Sequence, residues 1–250
     1  HIYPMAGPEG LHYIATGNGV TAGGGAAKGM AVQMNQFFPE GALLDTPRNQ
    51  AIIRSAAGLA EAAMEGTVLE ARAVLCDAEH NLHVEMPCME GVIPYFEGAI
   101  GIAEGTTRDI ALISRVSKPV CFTVNGFEHL PDGRRRAVLS RRDAQERCRD
   151  LYISRLRRGD VIPARVTRLE TFGAFCDIGC GLPALMPIAS ISVSRISHPS
   201  DRFCPGDDIF GVVSSLENGR ICLSQRELLG TWEENAALFS QGETVAGIVR

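Results

Sequence analysis

Lysine is almost missing from this chain: two of its 24 basic residues are lysine and the other 22 are arginine. Aromatic residues are scarce at 6%, and there is one tryptophan. No apolar run approaches the roughly 20 residues that a membrane-crossing helix requires. The best candidates, Ile110–Ile113 and Ala56–Met64, are short or broken by Gly58 and Glu61. The amino terminus shows no basic start followed by an apolar stretch, so a secretory signal is not supported. No C-x-x-C pair occurs among the eight cysteines, which removes the usual zinc-ribbon and dithiol patterns. The expectation from these features is a cytoplasmic protein without membrane contact.

The cysteines sit mostly inside apolar, strand-like runs such as Val120-Cys121-Phe122 and Ile221-Cys222-Leu223. There cysteine acts as a small buried hydrophobe. A zinc site drawn from Cys176, Cys180, His198 and Cys204 has no recognised ligand spacing. Asp77, Glu79, His80, His83 and Glu85 cluster in sequence, and on an alternating strand His83 and Glu85 share a face. Without third and fourth ligands the cluster reads as a polar strand edge and turn. Neither metal nor cofactor is expected. The histidines have no companion serine, cysteine or aspartate in a nucleophilic pattern, so no catalytic residue is assigned and no enzymatic activity is expected.

What is present is an uneven charge distribution. Net charge is −5 overall, but Arg134–Arg168 holds 12 arginines against four acids, a local excess of +8. A basic segment in an acidic chain suggests one surface suited to phosphate. The planar guanidinium suits both phosphate and base stacking. The competing reading is a solvated helix face neutralised by i, i+4 pairs such as Arg142–Glu146 and Asp143–Arg147.

An internal repeat organises the chain. Gly66-Thr-Val-Leu-Glu-Ala-Arg-Ala73, Gly159-Asp-Val-Ile-Pro-Ala-Arg-Val166 and Gly242-Glu-Thr-Val-Ala-Gly-Ile-Val249 share a glycine, a polar residue and a β-rich run. Two closing strands begin at turn signals, Asp132-Gly133 and Asn218-Gly219, and end at Ser140 and Ser224. Opening glycine to closing serine spans 74 and 65 residues, and closing serine to the next glycine spans 19 and 18. Order and spacing agree, giving two complete units and the first strand of a third.

The second unit reads as five strands: Val161–Leu169, Phe172–Ile178, Leu182–Pro187, Asp208–Ser214 and Arg220–Ser224. Five short strands in about 70 residues, with one long connection between the third and fourth, fit a closed barrel of the OB type. Helical connectors are expected at Arg141–Arg158 and Gln225–Ser240, each with an apolar stripe (Ala144, Cys148, Leu151, Tyr152, Leu156; Leu228, Leu229, Trp232, Ala236, Phe239). Thr46-Pro47 predicts a helix start for Arg48–Ala57. The fold class is therefore mainly β, tandem five-stranded OB-type barrels joined by α-helical connectors. The divisions are a flexible or non-native leader (1–34), a helical lead-in (35–65), a first barrel (66–142), a basic connector helix (143–158), a second barrel (159–226), a connector helix (227–241) and the opening strand of a third repeat (242–250).

The second unit, through Gly159-Asp-Val-Ile, Thr171-Phe-Gly-Ala-Phe-Cys-Asp177, Leu185-Met-Pro-Ile, Pro205-Gly-Asp-Asp-Ile209 and Gly219-Arg-Ile-Cys-Leu-Ser224, resembles the ribosomal S-one (S1) type RNA-binding domain. The resemblance is strong over Gly159–Arg226, weak over Gly66–Arg142 and fragmentary over Gln241–Arg250. It implies an RNA face of two aromatics, a histidine, an aspartate and an arginine. Phe172 and Phe175 match the aromatics and Arg220 the arginine, but Pro187 replaces the histidine and Leu216 stands nearest the aspartate's place. In the first unit Asp77–Val84 replaces the aromatic run, and Pro94 stands at the histidine position, so it resembles a degenerate repeat.

The residues point the same way. Phe172 and Phe175 flank Gly173, which leaves space for a nucleotide, and bases stack on such rings without regard to sequence; the alternative is that both rings fill the core. Arg165, Arg168 and Arg220 supply charge from strands expected to be neighbours. The expected RNA-binding set is Phe172, Phe175, Arg220, Arg165 and Arg168. The resemblance implies single-stranded messenger RNA binding in translation, with proteins of the small ribosomal subunit as further partners. Two alternatives remain: a protein-docking module, and the targeting part of an RNA-processing enzyme.

Overall fold

Short runs of alternating inward and outward residues produce ten strands in the computed structural model, which describes residues 37–217 and 219–230. The leader, most of the second connector and the opening strand of the third repeat lie outside the described residues. The strands are β1 (Leu69–Cys76), β2 (Leu82–Glu85), β3 (Glu90–Ile93), β4 (Pro119–His129), β5 (Arg135–Ser140), β6 (Val161–Glu170), β7 (Gly173–Asp177), β8 (Pro183–Pro187), β9 (Asp208–Glu217) and β10 (Arg220–Ser224). They close into two barrels of identical order, β1-β2-β3-β5-β4 and β6-β7-β8-β10-β9. In each, the third and fifth strands pair in parallel and the others antiparallel. The architecture is that of tandem OB-type barrels.

Barrel 2 fills its narrow interior with small residues from three strands (Ala164, Ala174, Ala184) interleaved with Met186, Val213 and Leu223, all at most 2% exposed. Each fully buried large aliphatic contributes about 1.5–3 kcal/mol. Gly173 is needed for strand closure: a Cβ there would stand 2.4 Å from the Met186 carbonyl oxygen of β8. This corrects the expectation that Gly173 leaves space for a nucleotide, since the space is already occupied by a neighbouring strand.

The lead-in forms two helices rather than one. α1 (Pro47–Ile53) begins at Thr46, whose hydroxyl accepts the Asn49 N–H, and α2 (Ala56–Glu65) begins at Ser55, which accepts from Gly58. Gly66 ends α2 with φ +64, the left-handed conformation that glycine adopts without steric cost. The basic connector, α4 (Arg141–Leu151), starts from the closing serine of barrel 1: Ser140 accepts the Asp143 N–H. It stops earlier than its apolar stripe suggests, because the backbone leaves the helix at Tyr152 and makes a 3-10 turn at Ile153–Arg155. Tyr152 and Leu156 are nevertheless buried, at 3% and 6% exposure. Two one-turn helices, α3 (Ile110–Ile113) and α5 (Ile188–Ile191), lie in the long connections after β3 and β8.

The two barrels meet through α4 and the turn-containing segment at residues 37–43. The buried carboxylate of Glu40 accepts from Arg141 (2.6 and 3.1 Å), from Arg115 (2.9 Å) and from the Cys121 N–H (3.3 Å). Its own N–H donates to Asp177 of barrel 2 at 2.7 Å, and its carbonyl accepts from Arg165 at 2.8 Å. Burial works against ionisation of Glu40, but the Arg141 and Arg115 guanidiniums outweigh it and hold the carboxyl below its ordinary range. One residue thus ties both barrels to the helix between them. Cys121, Cys148 and Cys180 are buried in the same seam, where burial pushes the Cys121 thiol well above the ordinary thiol range.

Candidate nucleic-acid interface

The outward face of β6 and β7 is set by a bulge. Along β6 the inward positions are Ile162, Ala164 and Val166, so strict alternation would turn residue 168 inward. A register shift between Val166 and Arg168 adds one residue, and Arg168 emerges on the surface opposite Phe175. Its Cζ lies 4.7 Å from the centre of the Phe175 ring. Phe172 stands in the turn before β7, 54% exposed, and meets Phe175 edge-on with ring centres 6.0 Å apart and planes at 88°. The Phe172 carbonyl accepts the Ile188 N–H at 2.9 Å, which ties this turn to α5.

The pair of rings is therefore neither fully core nor fully free. Phe172 is exposed, whereas Phe175 is half-buried, with one face under the Arg168 guanidinium. From Phe175 an outward row continues through Leu185 on β8 to Cys222 on β10. Arg220 occupies the same outward face two residues before Cys222, is exposed, and forms no ion pair among the described residues. Two strand spacings and two residue rises put its backbone about 12 Å from that of Phe175, so a ring-bound nucleotide and a neighbouring phosphate fit between them.

Arg165 does not join this surface. Its guanidinium grips Asp208 at 2.6 and 2.7 Å and donates to the Glu40 carbonyl, in the seam between the barrels. β6 and β10 are also not neighbours; β9 closes the barrel between them. The basic block disperses in the same way. Arg134, Arg136, Arg141, Arg142, Arg147, Arg149, Arg165 and Arg168 each pair with a carboxylate. Several of those acids (Glu40, Glu97, Glu128, Asp132, Asp208) lie outside the block, where a local charge count does not see them. The expected Asp143–Arg147 pair forms, while Arg142 reaches Glu97 instead of Glu146. One basic residue near the rings escaped sequence reasoning. Arg226 donates to the Ala189 carbonyl at 3.4 Å, beside the α5 residue that holds Phe172. Its only signal was its place two residues beyond the closing serine.

Barrel 1 has the same bulge, between Ala73 and Leu75, but different side chains. Leu75 stands where barrel 2 has Arg168, and His83 where it has Phe175. Both His83 ring nitrogens face carboxylates, Glu90 at 2.8 Å and Asp77 at 3.1 Å. Burial alone would lower the His83 pKa, but hydrogen bonds to these two acids and their charges raise it. The Asp77–His83–Glu85 sequence cluster is thus resolved into an imidazole clamp, with Glu90 as the member that sequence proximity did not suggest. The clamp puts an imidazole between two carboxylates where barrel 2 has the Phe175 ring, while the aromatic residues of this barrel, Tyr95 and the exposed Phe96, lie in the turn after β3. The four residues once grouped as a zinc alternative are scattered: Cys176 is inside barrel 2, Cys180 in the seam, Cys204 exposed, and His198 caps a 3-10 turn.

Residues 155–224 match the family model of the S1 RNA binding domain, and barrel 2 is an S1-type domain. Small ribosomal subunit protein bS1 of Leuconostoc lactis is 36% identical over 122 residues, covering 46% of this chain and 28% of that protein. The bS1 protein of Staphylococcus aureus strain COL is 31% identical over 129 residues, covering 49% of this chain and 33% of that protein. The chain thus spans about a third or less of the curated relatives it matches. Among solved structures, GSP13 from Bacillus subtilis aligns with 22% identity and a TM-score of 0.29, covering 36% of this chain and 65% of that one.

Proposed function

We propose that this protein binds single-stranded RNA through the outward face of barrel 2 and acts, as a cytoplasmic protein like the bS1 relatives, in translation at the small ribosomal subunit. The observation that carries the reading is the exposed Phe172 ring set edge-on against Phe175, with Arg168 stacked on the latter. Phe172 offers a base an exposed apolar ring, and Arg168 and Arg220 supply charge for the adjoining phosphates. Stacking and phosphate contact are insensitive to base identity, and Pro187 and Leu216 add no hydrogen-bonding group that would select one. The mechanism is capture and release with no covalent step. Arg165 belongs to the scaffold that holds the barrels together.

Barrel 1 takes a different role in this reading. The Asp77–His83–Glu90 clamp occupies the position of the stacking platform, which favours protein docking over RNA contact for that barrel. Fluorescence anisotropy of a labelled single-stranded oligoribonucleotide tests the assignment. Binding in the micromolar range that salt weakens, and that Phe172→Ala with Phe175→Ala abolishes, supports it. Binding that survives the double substitution places the RNA elsewhere.

A further inference from the structure

The second barrel leaves an apolar patch open on the side away from the rings. Val161 and Phe210 are 54% and 55% exposed, and they pair across β6 and β9 with Val212 and Pro163. The repeat supplies the comparison that explains them. Strand pairings put Glu70 opposite Cys121 and Thr123 opposite Ser140 in barrel 1, and Pro163 opposite Phe210 and Val212 opposite Ser224 in barrel 2. Val68, Glu70, Cys121 and Thr123 are therefore the counterparts of Val161, Pro163, Phe210 and Val212. In barrel 1 all four are buried, at 6%, 0%, 1% and 1% exposure.

The lead-in covers Glu70 and part of Cys121, through Gly41, Leu43, Asn49 and Glu40; the rest of the cover is the segment that follows the barrel. α4 leaves Ser140, lays Ala144 and Cys148 against Val68 and Cys121, and bonds Thr123 through Asp143 at 2.8 Å. Barrel 2 also runs from its closing serine into a helical turn, here a 3-10 turn without a side-chain cap, and its serine hydroxyl donates to the Ser190 carbonyl at 3.3 Å. Ser224 is the counterpart of Ser140, and a hydrogen bond from Ser224 holds the Glu227 carboxyl below its ordinary range. The turn at Arg226–Leu228 follows, with Leu228 41% exposed. A shift of 84 residues carries Ala144, Cys148 and Tyr152 onto Leu228, Trp232 and Ala236. The small residues of α4 thus correspond to larger apolar ones where the open patch is also wider and fully apolar.

We infer that the Val161–Pro163–Phe210–Val212 face is the seat of residues 226–239 of this same chain, with Trp232 as the side chain that fills it. The contact places the chain after barrel 2 as α4 places the chain after barrel 1, so the orientation of successive units is set by one repeated helix-on-barrel joint.

The one tryptophan of the chain makes the test direct. In the intact protein, Trp232 fluorescence should be shifted to the blue of free tryptophan and weakly quenched by acrylamide, at every protein concentration. Phe210→Ser and Val161→Ser should shift it to the red and raise quenching several-fold, while Phe172→Ser, on the other face, leaves it unchanged. Ala236→Asp, which alters the covering segment and not the barrel, should produce the same red shift, and it decides the matter if Phe210→Ser fails to fold by circular dichroism. Solvent-like emission in the unsubstituted protein overturns the inference. So does a blue shift lost on dilution, which makes a second copy the occupant, or one that arises only when single-stranded RNA is added.

Discussion

The Arg168 guanidinium lies 4.7 Å from the centre of the Phe175 ring, and the exposed Phe172 ring stands at right angles to Phe175 with ring centres 6.0 Å apart. The two phenylalanines are therefore unequal as platforms. A base stacks on Phe172 without displacing anything, whereas on Phe175 it competes with a cation–π contact of about 0.5–1 kcal/mol. Phe172→Ala should weaken single-stranded RNA binding about tenfold, corresponding to ~1.4 kcal/mol of stacking. Phe175→Ala should cost less. Anisotropy titrations of the two single variants decide the order; equal losses would mean that the rings act as one hydrophobic surface.

The arginines separate by what they already hold. Arg220 is exposed without an ion pair among the described residues, while Arg165 spends its guanidinium on Asp208 and Glu40. Each phosphate neutralised on a single strand contributes about −0.7 to the salt slope. Arg220→Ala should flatten the slope of log affinity against log salt by about that amount. Arg165→Ala should leave the slope unchanged and lower thermal stability instead. A flattened slope for Arg165→Ala would return that residue to the RNA face.

Strand positions were readable because glycine-started, β-rich runs recur at matched spacing, and β10 falls on Arg220–Ser224 as expected. Phe172 was singled out through the aromatic pair of the family resemblance and expected to open a strand, whereas it stands in the turn before β7. Residue 165 was misplaced because local sequence cannot reveal a partner as distant as Glu40, 125 positions away. The basic block misled for the same cause: several of its counter-charges come from distant elements, among them β4, the lead-in and β9. His83 was found as part of a polar cluster, but its clamp needs Glu90 from the adjoining strand, a pairing that register and not proximity creates.

Glu40 and Arg141 form the buried pair on which both barrels depend, 4% and 5% exposed at the side chain. Removing one partner of such a pair strands the other charge in a dry site, at a cost of about 3–5 kcal/mol. Glu40→Ala should therefore lower the urea midpoint by that equivalent. Replacing both partners with apolar residues of similar size should recover part of the loss, because no charge is left unpaired. Unchanged stability in Glu40→Ala would show that Arg115 and Arg141 reach solvent by rotating away.

Glu70 lies beside that pair and behaves in the opposite sense. Its Oε2 accepts the Gly41 and Leu43 N–H groups at 3.0 Å each, but its Oε1 has no partner. Burial, then the neighbouring Glu40 charge, pushes its pKa up to about 8 against an ordinary value of 4.5. Between those two values the unfolded chain releases this proton and the folded chain keeps it. Stability therefore falls as pH rises from 4.5 towards 8 and levels off above, by at most about 5 kcal/mol at 1.36 kcal/mol per pKa unit. Glu70→Gln keeps the acceptor oxygen and removes the proton. Its stability relative to the unsubstituted protein should grow steadily across that window and then remain constant, as read from urea midpoints at pH values between about 4.5 and about 9. A difference that does not change with pH would show that Glu70 is ionised in the folded protein.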